Sequence, residues 1–129
     1  MNILVTGGSG YIGSHTCISL LEKNFKLTVI DSNVNSSNES INRIKIILGD
    51  KVKNKIDFKK GDIRDEVFLK EIFSKAIKDN NPIKGVIHFA GLKSVEESIK
   101  NPLLYWDVNV KGSISLFRVM ELFNCHLIV

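Results

Sequence analysis

Asn2-Ile3-Leu4-Val5-Thr6-Gly7-Gly8-Ser9-Gly10-Tyr11-Ile12-Gly13 is the stretch that decides the fold. Ile3-Leu4-Val5 is a short, continuous apolar run, which predicts a strand buried on both faces. Glycines follow at once. Ile12 to Lys23 then places Ile12, Cys17, Leu20 and Leu21 at helical spacing, with Asn24 as the helix end. Two glycine registers fit: Gly8, Gly10 and Gly13 as GxGxxG, or Gly7, Gly10 and Gly13 as GxxGxxG. Both imply the same physics. The turn needs a residue free to take positive φ, the missing Cβ lets a pyrophosphate approach the backbone, and the helix N-terminus offers free N–H groups and a partial positive charge. Glycine spacing alone is weak evidence. Between a strand and a helix it becomes a strong indication of a dinucleotide-binding turn.

The next strand, Leu27-Thr28-Val29-Ile30, stops at Asp31. A carboxylate about 20 residues past such glycines accepts hydrogen bonds from an adenosine ribose. Ser32 and Asn33 follow, with no arginine to hold a 2′-phosphate, which favours NAD over NADP.

Beyond this point the chain alternates. Asp31 to Ser40 reads as a loop rich in Asn and Ser, and Ile41 to Leu48 as a helix with Ile41, Ile44, Ile47 and Leu48 on one face. Ile56-Asp57-Phe58 is a third strand. Asp65 caps a helix over Glu66 to Asp79, whose apolar set is Val67, Phe68, Leu69, Ile72, Phe73, Ala76 and Ile77. Gly85 to Ala90 holds a fourth strand. Ser94 starts a short helix that Pro102 ends, a long helix runs to about Phe123, and Leu127-Ile128-Val129 begins a fifth strand.

This rhythm predicts an α/β fold, a doubly wound parallel sheet of the NAD-binding Rossmann type with strand order 3-2-1-4-5, in one domain over residues 1–129. A central strand of a parallel sheet rarely closes a natural domain. The expectation is therefore a larger protein, interrupted in or just after the fifth strand.

Composition removes other classes. At 43% hydrophobic and 25% charged, the chain is neither a disordered tail nor a disulfide-stapled miniprotein. The net charge of +4 comes from lysines scattered along the chain, densest from Lys51 to Lys60 and not interleaved with aromatics. They read as a solvated face, so no nucleic-acid partner is expected. No apolar run approaches about 18 residues and no secretory start is present, so no membrane partner is expected and the cytoplasm is the default location. Cys17 and Cys125 form no CxxC pair and read as buried small hydrophobes, and His15, His88 and His126 are dispersed, so no metal site is expected.

Three further stretches carry a resemblance. Thr6 to Thr16, Gly61-Asp62-Ile63-Arg64-Asp65 and His88-Phe89-Ala90-Gly91-Leu92-Lys93-Ser94-Val95-Glu96-Glu97-Ser98 resemble the corresponding motifs of the UDP-glucose 4-epimerases, extended short-chain dehydrogenases/reductases. The likeness continues through Pro102-Leu103-Leu104-Tyr105 and Asn109-Val110-Lys111-Gly112, and is least distinctive from Asn38 to Lys60. It implies NAD as cofactor. Tyr11 and Ile12 would lie beside the pyrophosphate, after the glycine turn of Gly7, Gly10 and Gly13. Asp31, Asn35 and Ser36 would surround the adenosine ribose, and Asp62 and Ile63 would contact adenine. Phe89, Ala90, Gly91, Leu92 and Lys93 would line the central stretch, with the charge of Lys93 raising the oxidising power of NAD⁺. Three positions depart from the family pattern: Ser32 and Val108 where Asn is usual, and Glu96 where Gly is usual. Asn109 is the candidate to take over the contact normally made from position 108.

By the same resemblance the whole protein would be a homodimer acting on a UDP-sugar in galactose metabolism. A tyrosine would take the C4 hydroxyl proton while NAD⁺ takes the C4 hydride, and the 4-keto sugar would receive the hydride back on its other face. The family's catalytic tyrosine and lysine form a YxxxK motif on a later helix. Tyr11 is followed four residues later by His15 and Tyr105 by Asn109, so no catalytic residue is assigned in this chain, which is expected to be inactive alone. Two other readings stay open at this stage: a related NAD-dependent sugar-nucleotide dehydratase, and a non-catalytic dinucleotide-binding module.

Overall fold

The apolar run at the start of the chain occupies the middle of a parallel sheet. The computed structural model describes every residue except Asn35 and Asn38. Strand β1 (Asn2–Thr6) is buried along its whole length. It is followed by α1 (Tyr11–Glu22), β2 (Lys26–Asp31), α2 (Glu39–Leu48), a 3₁₀ turn (Gly49–Val52), β3 (Ile56–Lys60), α3 (Glu66–Lys78) and β4 (Ile83–His88). The chain closes with α4 (Val95–Lys100), α5 (Pro102–Tyr105), a π-helical turn (Trp106–Lys111) and α6 (Gly112–Leu122).

The sheet order is β3-β2-β1-β4, all parallel, with Val5 opposite both Val29 and Ile87. The expected fifth strand lies on the free side of β4, as the order 3-2-1-4-5 requires. There it is a bridged segment rather than a long ladder: Ile128 pairs with Val86, Val86 N–H donates to Leu127 O at 2.9 Å, and His88 N–H donates to Val129 O at 2.8 Å.

Helices cover both faces of the sheet. Cys17 and Leu21 of α1 and Ile41 and Ile44 of α2 pack on Ile3, Val5, Leu27 and Val29. Leu69, Ile72 and Phe73 of α3 and Leu116, Val119 and Met120 of α6 pack on Leu4, Ile30 and Val86. Neighbouring strand residues thus feed opposite cores, the period-2 rule for a sheet covered on both faces. Cys17 and Cys125 are both buried and unpaired, as the sequence suggests.

The helix faces are narrower than the periodicity implies. Ile47 is 67% exposed, because the stripe of α2 runs through Ile41 and Ile44 and position 47 turns away from it. Val67 is likewise exposed on the opposite face of α3 from Leu69, and Ile77 lies at the edge of that stripe. Ile12, at helical spacing with Cys17, Leu20 and Leu21, is exposed at the helix entrance.

Caps fix the helix ends. Asp65 Oδ1 accepts from Phe68 N–H at 3.0 Å and Ser94 Oγ from Glu97 N–H at 3.3 Å, as N-cap side chains do. Three helices end on the same device. Asn24, Asn80 and Asn124 have φ of 69°, 52° and 52° after α1, α3 and α6. In each case the asparagine N–H and the next N–H turn back to carbonyls of the last turn: Asn24 to Leu21 and Phe25 to Leu20, Asn80 to Ile77 and Asn81 to Ala76, Asn124 to Glu121 and Cys125 to Met120. This is the Schellman pattern, with asparagine at the left-handed position.

Candidate functional site

Because all strands run the same way, their C-terminal ends share one edge, and the loops after β1, β2, β3 and β4 meet there. They enclose a cleft of about 350 Å³. It lies where β1 neighbours both β2 and β4, the point at which the winding of the sheet reverses and where open α/β sheets hold ligands.

The floor is the glycine turn. Gly7 has φ +67°, and a Cβ there would sit 2.7 Å from Ala90 N. A Cβ on Gly13 would sit 2.4 Å from Gly7 O, so the first turn of α1 lies directly on the loop. Both positions require glycine, one for conformation and one for close approach. The N-cap of α1 is Gly10, which offers no capping side chain. Tyr11 and Ile12 stand at the mouth, 83% and 63% exposed, although both are apolar or aromatic.

Asp31 forms one side wall. Its Oδ2 accepts from Ser9 N–H at 3.1 Å, and its Oδ1 accepts from Asn33 N–H at 2.9 Å and from Ser36 Oγ at 2.9 Å. Ser9 Oγ lies 2.9 Å from Ser36 Oγ. The carboxylate thus ties the glycine turn to the loop after β2. Ile30, Ser32, Val34 and Ser36 also border the cleft here. Asn35 lies outside the described residues.

After β3, Gly61, Asp62, Ile63 and Arg64 continue the lining. Arg64 donates to both Asp62 carboxylate oxygens and reaches across to Asp107 on the π-helical turn. The Arg64 guanidinium draws the Asp62 carboxyl below its ordinary value, against an opposing effect of partial burial. Asp107 is lowered by Arg64 first and Lys111 second. Asp62 and Arg64 lie two positions apart in the motif, but Asp107 is distant in sequence, and no local pattern points to this junction.

The far wall is Phe89, Ala90, Gly91, Leu92 and Lys93. Asn109 is not among the residues that line the cleft. Its Oδ1 accepts from Leu92 N–H at 2.8 Å and its Nδ2 donates to Leu92 O at 3.0 Å, so the amide braces that wall. Val108 lines the cleft instead, without a polar group to offer. The π-helical turn sets this division, and π-helical insertions are often found at functional sites. The cleft therefore has a glycine floor beneath a helix N-terminus, a fixed carboxylate on one side and backbone with a lysine on the other. This arrangement suits an extended molecule with a pyrophosphate in its middle. No helix among the described residues is long and apolar enough to cross a membrane.

Comparison with known proteins agrees with this geometry. The family model described as GDP-mannose 4,6 dehydratase matches residues 4–127. A bifunctional UDP-glucose 4-epimerase and UDP-xylose 4-epimerase of Arabidopsis thaliana is 43% identical over 128 residues, 99% of this chain and 35% of that protein. A UDP-glucose 4-epimerase of Cyamopsis tetragonoloba is 48% identical over 98% of this chain and 35% of its own length. Among solved structures, the UDP-glucose 4-epimerase of Bifidobacterium longum in complex with NAD⁺ and UDP superposes with a TM-score of 0.89 at 38% identity, covering 99% of this chain and 36% of that one. The enzyme of Stenotrophomonas maltophila, with bound NAD and formylated UDP-arabinopyranose, gives 0.88 at 40% identity, covering 99% and 35%. The chain thus spans about a third of the length of the relatives it matches. With a family model covering nearly the whole chain, and with UDP-glucose 4-epimerases as relatives in sequence and structure, the chain belongs to the family described as GDP-mannose 4,6 dehydratase.

Proposed function

We propose that these residues form the NAD-binding part of a UDP-glucose 4-epimerase. One observation carries the reading: the glycine turn, the Asp31 carboxylate and the Phe89–Lys93 wall border a single cleft at the C-terminal edge of the sheet. The pyrophosphate would lie over Gly7, Gly10 and Gly13 at the start of α1, beside Tyr11 and Ile12. Asp31 and Ser36 would receive the adenosine ribose, and Asp62 and Ile63 the adenine. Phe89, Ala90, Gly91, Leu92 and Lys93 would line the central stretch of the cofactor on its nicotinamide side, and Lys93 would add positive charge there. The residues fit the cofactor: a Cβ at Gly13 would displace the turn, and Asp31 is held in place by three donors.

The bound nicotinamide would supply reversible hydride acceptance; the protein supplies orientation and electrostatics. The side chains described here bind and position, and none of them is placed to move the sugar hydroxyl proton. The family model's description names a dehydratase, but relatives at 41% to 48% identity are 4-epimerases, which favours epimerisation. In this reading the whole protein acts on a UDP-sugar in the cytoplasm as a homodimer. The exposed apolar side chains Trp106, Ile114 and Phe117 along α6 and its approach support a partner face.

Titration calorimetry with NAD⁺ and NADP⁺ tests the cofactor site. Binding of NAD⁺ with a clear preference over NADP⁺ is expected, because Asp31 would repel a 2′-phosphate. Equal affinity would mean that Asp31 is not at the ribose, and no binding of either would remove the reading.

A further inference from the structure

His88 ends β4 just before the far wall of the cleft, and each of its ring nitrogens has one partner. Nδ1 lies 2.6 Å from Thr6 Oγ1, and Nε2 lies 3.0 Å from Ser113 Oγ. The polarity of these bonds follows from counting hydrogens. Ser113 Oγ is 2.6 Å from the Asn109 carbonyl, and a carbonyl can only accept, so the single hydroxyl hydrogen of Ser113 is spent there. The imidazole must then donate from Nε2. A neutral ring protonated at Nε2 leaves a lone pair on Nδ1, so Thr6 Oγ1–H donates to it. Thr6 Oγ1 in turn accepts from Ala90 N–H at 3.2 Å.

The other arm returns to the same loop. Asn109, whose carbonyl receives Ser113, grips both backbone groups of Leu92. The chain of bonds runs from Ala90 through Thr6, His88, Ser113 and Asn109 to Leu92. It closes around Gly91, and with a neutral ring each link runs in one direction. Ala90, Gly91 and Leu92 line the cleft, whereas His88 and Ser113 do not.

We propose that His88 is a positioning residue for the dinucleotide: a neutral imidazole with its proton on Nε2, which closes a hydrogen-bonded circuit that fixes the Ala90–Leu92 wall. This rests on the reading that the cleft binds NAD. Burial and the nearby charge of Lys93 both disfavour the imidazolium, in keeping with that state. A second proton, on Nδ1, would reverse that link and turn the Thr6 hydroxyl into an acceptor. Because the circuit holds backbone on both sides of a glycine, its loss would free the wall without touching the glycine turn or Asp31.

Calorimetry on the full chain tests this with NAD⁺, with ADP as a probe of the adenosine half alone, and with Ser113→Ala and Ser113→Thr. Ser113→Ala breaks the circuit at its middle from a half-buried helix position. It should weaken NAD⁺ by about fivefold, the worth of one net hydrogen bond, and leave ADP unchanged, while Ser113→Thr keeps the wild-type values. The ¹⁵N shifts of His88 at pH 7.5 should report a neutral ring protonated at Nε2. Equal loss for NAD⁺ and ADP, or no loss in Ser113→Ala, overturns the positioning role while leaving the cofactor reading intact. A ring protonated at Nδ1, or doubly, overturns it as well. Failure of the unaltered chain to bind NAD⁺ would remove the cofactor reading and this inference with it.

Discussion

Ser9 N–H donates to Asp31 Oδ2 at 3.1 Å, so the glycine turn and the end of β2 are joined by the very carboxylate that faces the cleft. Asp31 therefore holds the turn, and under the proposed function it would also select the ribose. Asp31→Ala is expected to lower NAD⁺ affinity by about tenfold or more, since hydrogen bonds to a charged group are each worth ~1.5–3 kcal/mol. It should also narrow the gap to NADP⁺. Measured affinities that keep the wild-type ratio would place the selectivity elsewhere.

Gly13→Ala examines the floor without altering a polar group. The new methyl would lie 2.4 Å from Gly7 O and 2.8 Å from the Gly8 Cα, and both neighbours are backbone that cannot swing aside. Such crowding costs about 1–3 kcal/mol. The expected result is a lower denaturant midpoint and weaker NAD⁺ binding together. A substituted chain with unchanged stability would show that α1 can slide on the turn.

The sequence made some parts of this molecule legible and concealed others, for physical reasons. The glycine turn and Asp31 are local features: residue type and position relative to a strand end specify them, and neither depends on a distant contact. The Phe89–Lys93 wall was readable through its likeness to a known family. The Arg64–Asp107 pair joins residues far apart in the chain, and the Thr6–His88–Ser113 chain joins three elements, so no window of sequence contains either. The π-helical turn was read as ordinary helix because its side chains carry no distinct period. The family resemblance offers Asn109 for the contact usual at position 108, whereas its amide here pairs with Leu92. Apolar periodicity also overstated burial at Ile47 and Val67, since it registers hydrophobicity without knowing which face has a neighbour.

Asn80→Gly should stabilise the protein. Asn80 sits at φ 52°, in the left-handed region, and its N–H and that of Asn81 close α3 by backbone alone. Glycine removes the Cβ that makes this conformation costly and keeps both bonds. Its gain is partly offset by the extra freedom it brings to the unfolded chain. A net rise of a few tenths to about 1 kcal/mol is expected from urea titration. Asn24→Gly and Asn124→Gly should act in the same direction, and a loss in all three would show that asparagine side-chain contacts outweigh the backbone term.

Purified residues 1–129 should not interconvert UDP-galactose and UDP-glucose when supplied with NAD⁺. The two tyrosines are not followed by lysine at the fourth position. Tyr105 has its hydroxyl engaged by Ser94 N–H and Glu97, away from the cleft lining. Hydride acceptance without a general base cannot complete the cycle. Product above a buffer control would show that a base has been overlooked.

The pH dependence of stability should have two separate windows. His88 is held below its ordinary value of 6.5, chiefly by burial and then by Lys93. Well above pH 6.5 it is neutral both folded and unfolded, and contributes no slope. As pH falls below 6.5 the unfolded chain takes up a proton that the native imidazole resists, so stability drops until the native ring is protonated too. The carboxylates behave separately. Asp62 and Asp107 are held below 3.8 by Arg64, with Lys111 also acting on Asp107, so their contribution is present above that pH and fades as pH falls through their native values. Thermal midpoints recorded from pH 8 to pH 3 should therefore decline first just below 6.5 and again in the carboxylate range. His88→Asn should flatten the first decline and leave the second. Arg64→Gln should weaken the second and leave the first. If His88→Asn retained the full loss between pH 6.5 and 5, the proton responsible would bind elsewhere, and the neutral state of His88 would have no part in holding the cleft wall.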